Sequence, residues 1–236
     1  MQPDTSAIPV QPCKHCGTQA PVDVHFCPRC DRILTLGRHG DYFTFFGLHR
    51  RLQVDPRDLE QRFRALSRQF HPDYFHNSSG TERLASLERS SYLNDAFRTL
   101  RDPVGRLEYL LKLEGFAPKE SREASAQVPS GLLEEVFALN EELEAIQEMR
   151  EEGAPADQVA TRLEAARGPI EENLATHERE LAALMTTHDA RFDAGDAAGR
   201  HAALEAMRTL MLERTYLTNL LATVHREMHG GEAARS

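Results

Sequence analysis

All four cysteines of the chain fall within its first thirty residues, as Cys13-Lys-His-Cys16, ten further residues, then Cys27-Pro-Arg-Cys30. Two C-x-x-C knuckles at this spacing can fold back so that four thiolates meet one ion, the tetrahedral set that suits zinc. Gly17 after the first pair permits the tight turn. His15 and His25 lie near, but four sulfur ligands leave them no vacancy. The expectation is a closed, structural centre that folds a small zinc-ribbon-like module, with an iron centre on the same ligands as the alternative. Paired spacing with no further cysteine reads as a metal site in a reducing compartment, not a disulfide framework.

Beyond the cysteines the pattern turns helical. Asp41 can cap a short helix reaching Leu48. Asp55-Pro56 is a second start signal, an acidic cap with proline at the first helical position. Leu59, Phe63, Leu66 and Phe70 then recur on one helical face. His71-Pro72 ends that helix, because proline disfavours the α conformation in the residue before it. After the polar loop Asn77-Ser78-Ser79-Gly80, a third helix starts near Thr81 and carries Leu84, Leu87, Leu93, Phe97 and Leu100. Asp102-Pro103 opens a fourth, with Val104, Leu107 and Leu111 on one face and Gly115 as its C-cap.

Three longer helical segments follow, over about 131–152, 156–193 and 196–229. Gly168-Pro169 is expected to break or kink the middle one. Short connections between long helices predict an antiparallel three-helix bundle. The chain therefore reads as all-α after its first module: a disordered tail and cysteine module over 1–38, a compact helical domain over 39–115, a linker over 116–129 and the bundle over 130–230.

Composition narrows the function classes. The net charge of −9 and pI of about 5.7 argue against a general nucleic-acid binder. No apolar run approaches the ~20 residues of a membrane span, and the N-terminus lacks secretory and presequence patterns. A cytoplasmic protein is the expectation, or a matrix protein if the source is eukaryotic.

The tripeptide His71-Pro72-Asp73, set between an amphipathic helix and a helix ending Leu93-Asn-Asp-Ala-Phe-Arg-Thr-Leu-Arg-Asp-Pro103, resembles a J domain. More narrowly, Asp41-Tyr-Phe-Thr-Phe-Phe-Gly-Leu48, His71-Pro-Asp-Tyr-Phe75 and Arg106-Leu-Glu-Tyr-Leu-Leu111 resemble the HscB/Jac family, the J-type co-chaperones of iron–sulfur cluster assembly. The resemblance covers about residues 41–229. The cysteine pairs have a counterpart in the animal and plant-like members and not in the best-known bacterial ones. The family often carries lysine after the tripeptide, where this chain has Tyr74.

The resemblance implies a non-enzymatic adaptor with two partners. One is a heat-shock chaperone of the HscA/DnaK type, whose ATPase the tripeptide stimulates. Arg57, Gln61, Arg64 and Arg68 project opposite the apolar stripe of the second helix and would dock on it beside His71, Pro72 and Asp73. The other is an IscU-like iron–sulfur scaffold. In the bundle, Leu132, Val136, Leu139, Leu143 and Ile146 share the core face, while Leu133, Phe137 and Glu141 lie 100–140° away. On the last helix, Met207, Leu210, Leu217, Leu221, Val224 and Met228 define the core side, and Leu212 and Tyr216 point elsewhere. By resemblance, these off-core residues bind the scaffold; packing within the protein is the competing reading. A general J protein acting on unfolded or nucleic-acid clients is the alternative function.

Overall fold

The computed structural model describes residues 10–36, 40–116 and 128–233. The expected disordered tail, most of the 116–129 linker and most of the Gly37–Gly40 linker lie outside these residues. The chain divides into two compact units, Met1–Lys112 and Leu113–Ser236.

The first unit opens with a two-stranded antiparallel sheet, β1 (Val10–Pro12) and β2 (Gln19–Pro21), in register Gln11 to Ala20. This hairpin holds the first cysteine pair, and an isolated bridge between Phe26 and Ile33 frames the second. Four helices follow: α1 (Tyr42–Phe45), α2 (Pro56–Phe70), α3 (Gly80–Arg101) and α4 (Pro103–Leu113). The Asp41 carboxylate accepts the Thr44 amide at 2.9 Å, and Asp55 accepts that of Arg57 at 2.9 Å, so both N-caps form. The third helix starts slightly earlier than expected. Ser79 and Glu82 make a reciprocal capping box ahead of Thr81.

Helices α2 and α3 pair as a hairpin, with Phe63 stacked on Phe97 at 4.3 Å between ring centroids. Leu59, Phe70, Leu93, Ala96 and Leu100 are buried along the hairpin. Leu84 and Leu87, placed on the same helix by sequence, stand exposed. At that end of α3 the buried face is Ala85, Ser86 and Arg89. Arg106 of α4 is buried too. Its guanidinium donates to the Leu52 carbonyl at 2.9 Å and to that of Leu100, tying the loop before α2 to the end of α3.

In the second unit, a 3-10 turn (Ser130–Leu132) leads into α5 (Leu133–Glu151), followed by α6 (Ala156–Asp193) and α7 (Ala197–Ala233). Gly153 and Gly195 adopt left-handed φ of 82° and 68° at the two turns. The expected break at Gly168-Pro169 is absent: α6 runs unbroken through Pro169. Pro169 forfeits one backbone hydrogen bond, but it lies on the exposed side, where water can serve the freed carbonyl, and the next residue, Ile170, is buried in the core. With 19 residues against 38, α5 has half the length of α6.

Candidate metal centre and binding surfaces

The two knuckles repeat one backbone design. Cys13 N–H donates to Thr18 O at 2.8 Å, and Gly17 N–H to Cys13 O at 2.9 Å. Cys27 N–H donates to Arg32 O at 2.9 Å, and Asp31 N–H to Cys27 O at 2.9 Å. Both turns need a left-handed residue, which Gly17 supplies at φ 71° and Asp31 at φ 53°. Aspartate is one of the few side chains that tolerates this region.

The four sulfurs lie within 4.8 Å of one another, and none forms a disulfide. Cys13 and Cys30 Sγ stand 3.8 Å apart, Cys16 and Cys27 Sγ 3.6 Å. A tetrahedral zinc–thiolate centre with bonds of ~2.3 Å requires sulfur–sulfur edges of about 3.8 Å, so the four thiols fit such an ion. The amides of Cys16 and His15 aim at the Cys13 sulfur and lower its pKa. The Thr18 hydroxyl and amide draw the Cys16 thiol down to about 6. Both effects favour the thiolates a metal needs, whereas at Cys30 the Arg32 amide is outweighed by burial and the three neighbouring sulfurs, which push the thiol up to about 12 without an ion.

The tripeptide loop caps itself. His71 sits at φ −57°, ψ 125°, the extended conformation that a following proline imposes. Its Nδ1 accepts the Asp73 amide at 3.3 Å. The His71 and Asp73 side chains are 52% and 86% exposed, so both are presented to a partner. Behind them, the Phe70 carbonyl at the end of α2 accepts hydroxyl donors from Ser86 at 2.6 Å and Ser90 at 3.0 Å. Arg57, Gln61, Arg64 and Arg68 are all exposed. Arg64 pairs with Glu60 at 2.6 Å, which offsets part of the positive charge of that face.

On α5, Leu139 and Ile146 are buried, whereas Leu133 is 43% and Phe137 67% exposed. Glu141 continues the exposed line. A Cβ placed on Gly131 would meet Glu213 Oε1 at 2.8 Å, so α7 passes against the entry to α5. Leu212, the residue before Glu213, is 42% exposed. Of the two readings of Tyr216, scaffold contact and internal packing, its placement favours the second: it is half-buried and packs against the bundle core. Met211 is also buried, where Leu210 had been assigned, and Leu210 is half-buried.

No family model matches the chain. Among solved structures it is similar to human co-chaperone protein HscB, at 26% identity and a TM-score of 0.62, covering 92% of this chain and 98% of that one. It is also similar to chaperone HscB from Vibrio cholerae, at 26% identity and a TM-score of 0.50, covering 79% of this chain and 96% of that one. The chain has an HscB-like fold, with four cysteines clustered towards its N-terminus.

The share matched by the human protein exceeds what residues 39–236 can supply, so that likeness reaches into the cysteine module. The motifs that carry the resemblance acquire physical roles. Asp41 both caps α1 and accepts Arg50 at 2.8 Å, and Tyr109 Oη accepts the Tyr42 amide at 3.0 Å. Sequence reasoning missed Arg89, 1% exposed, whose guanidinium donates to Leu34 O at 2.8 Å, Thr35 O at 3.3 Å and His25 Nδ1 at 2.7 Å. Burial, then the neighbouring Arg89 charge, pushes His25 down to about 4. Its ring is neutral, with Nε2–H directed at the Phe45 carbonyl. No local pattern marks Arg89, because its acceptors lie more than fifty residues away in sequence.

Proposed function

We propose that this chain couples an IscU-like iron–sulfur scaffold to a heat-shock chaperone of the HscA/DnaK type and stimulates that chaperone's ATPase, promoting cluster transfer. The exposed, self-capped tripeptide His71-Pro72-Asp73 beside an arginine face carries the chaperone half of this reading. Leu133, Phe137, Glu141 and Leu212 carry the scaffold half, and Tyr216 contributes through packing beneath them. Cys13, Cys16, Cys27 and Cys30 hold zinc as a structural ion.

The chain performs no bond chemistry in this reading; hydrolysis occurs in the chaperone. The tripeptide shifts the chaperone toward its hydrolysing state by binding that state more tightly. Arginine forks suit an acidic partner surface, and contacts of this kind weaken with salt. The activity belongs in the compartment of cluster assembly, the cytoplasm or a mitochondrial matrix, with neither nucleic acid nor membrane as partner.

Single-turnover ATPase of an HscA-type chaperone, with and without scaffold, tests the proposal. Wild-type chain accelerates turnover, and His71→Gln abolishes the acceleration while helicity and scaffold binding persist. Normal stimulation by His71→Gln would refute the chaperone half.

A further inference from the structure

The α2–α3 hairpin has its own core in Leu59, Phe63, Leu93, Ala96, Phe97 and Leu100, none of which needs the cysteine module. Apart from the Arg32–Glu82 ion pair at the start of α3, 2.7 Å, and the His25 contact with Phe45, the module's contacts meet on the last residue of α2. Phe70 is fully buried. His25 meets its ring edge-on at 4.9 Å, Phe26 stacks at 6.2 Å, and the Arg89 guanidinium lies 5.7 Å from its centroid. Two of these three groups belong to the module, and the third is held by the module's own Leu34 and Thr35 carbonyls and His25 ring.

Arg89 also shares a face of α3 with Ser86 and Ser90, whose hydroxyls grip the Phe70 carbonyl. Phe70 is thus held at its side chain by the module together with Phe45 of α1 and at its backbone by α3, and the next residue is His71. Guanidinium donors in this position have no acceptor on α3 that could replace Leu34, Thr35 and His25 among the contacts seen. If the module lets go, three donors lose their partners beside the Phe70 ring, and the ring loses His25 and Phe26 and keeps Phe45 of α1, whose centroid lies 5.8 Å away.

We propose that Arg89 is a positioning residue for the tripeptide, tying the metal-loaded cysteine module to the Phe70 end of α2 and so setting the orientation in which His71-Pro72-Asp73 meets its partner. This rests on reading the tripeptide as the chaperone-stimulating end. The module then acts on the switch without touching the partner, and the metal matters to stimulation because it shapes the segment 25–35 that Arg89 grips. Disturbing the tie leaves the hairpin folded and lowers the fraction of molecules with a competent loop. The apparent affinity for the chaperone falls by that fraction while the saturating rate is unchanged.

The test uses the full zinc-loaded chain as wild type, Arg89→Met, Arg89→Lys and His25→Phe, read by backbone NMR and by chaperone ATPase. In Arg89→Met, signals of His71, Asp73 and Tyr74 broaden or double, while those of Leu93 to Leu100 stay in place. The concentration for half-maximal stimulation rises about tenfold if one molecule in ten keeps the competent loop, at an unchanged maximal rate. Arg89→Lys, which keeps the charge and one reach of the fork, recovers part of the loss. His25→Phe keeps a ring over Phe70 but removes one acceptor, and reproduces a smaller version of the effect; it decides the matter should Arg89→Met not fold.

Unchanged loop signals and an unchanged half-maximal concentration in folded variants would overturn the inference. So would loss of the hairpin signals together with the loop, since that marks Arg89 as a stabiliser of the whole unit. A wild-type chain that gives no stimulation would instead sink the functional reading, and the NMR comparison would still decide whether Arg89 orients the loop.

Discussion

His177 of α6 and Glu213 of α7 are joined at 2.9 Å between Nε2 and Oε2, both side chains largely buried. His177 Nδ1 faces the Asn173 carbonyl at 2.9 Å, and Glu213 lies against Gly131 at the entry to α5. The pair therefore joins α6 to α7 beside the turn that leads into α5. His177→Ala leaves a buried carboxylate without its partner and should cost roughly 2–4 kcal/mol. Gly131→Ala places a Cβ where Glu213 Oε1 now sits and should push that side chain off the histidine. The two changes act on one contact, so urea denaturation of the single and double variants should show non-additivity beyond ~0.5 kcal/mol. Strict additivity would mean that Glu213 moves aside without disturbing His177.

The metal knuckles yield a backbone prediction. Gly17 has φ 71° and no atom within 4 Å of its would-be Cβ, so Gly17→Ala introduces strain and no clash. The left-handed conformation costs alanine about 1 kcal/mol. Zinc affinity, measured by competition with a chromophoric chelator, should fall roughly fivefold. The stoichiometry should remain one ion per chain. An unchanged affinity would place the turn's folding outside the binding equilibrium.

Features written in neighbouring residues were legible before the structure. The C-x-x-C pairs, the caps at Asp41 and Asp55 and the stop at His71-Pro72 all act within about four residues, so sequence alone exposes them. Long-range contacts were not. Arg89 reads as one more charge on α3, and only folding brings Leu34, Thr35 and His25 to it. The exposure of Leu84 and Leu87 has the same origin, since the module covers the face of α3 that carries Arg89. Tyr216 shows a limit of the helical wheel. A helix in a three-helix bundle faces two neighbours, so its buried arc is wider than a single stripe, and residues off the centre line still reach the core.

Arg162 and Glu142 predict a pH dependence confined to acid. Arg162 Nη2 donates to Glu142 Oε2 at 3.1 Å, and a second bond runs from Arg162 Nε to Oε1. The hydrogen bonds from Arg162 hold the Glu142 carboxyl below the usual carboxylate range, against the opposing effect of burial. A carboxyl with a lower pKa folded than unfolded contributes stability above its unfolded value of ~4.3, and loses it as pH falls through the folded value. The pair is partly solvated, with side chains 40% and 31% exposed, so the effect stays within about 1 kcal/mol. Wild type and Glu142→Gln should differ by a constant urea midpoint from neutral pH to about 5 and converge in stronger acid. A gap that persists into strong acid would show that Arg162 contributes through packing alone.

Phe137 and Tyr216 separate binding from folding on the bundle. Phe137 is 67% exposed and Leu133 43%, so replacing either with serine removes little buried surface and should move stability by no more than ~0.5 kcal/mol. If the scaffold covers Phe137, the lost burial is about 2–3 kcal/mol, which weakens the complex between roughly thirty- and two-hundredfold. Tyr216 packs into the core cluster beside Leu217 and Leu220, so Tyr216→Ala should lower the thermal midpoint before it changes affinity. Calorimetric titration of scaffold into each folded variant, paired with thermal melts, reads both quantities. Full affinity in Leu133→Ser with Phe137→Ser would remove the apolar stripe from the scaffold interface. A Tyr216→Ala chain of unchanged stability that binds weakly would return Tyr216 to the interface, with its ring serving the partner instead of the core.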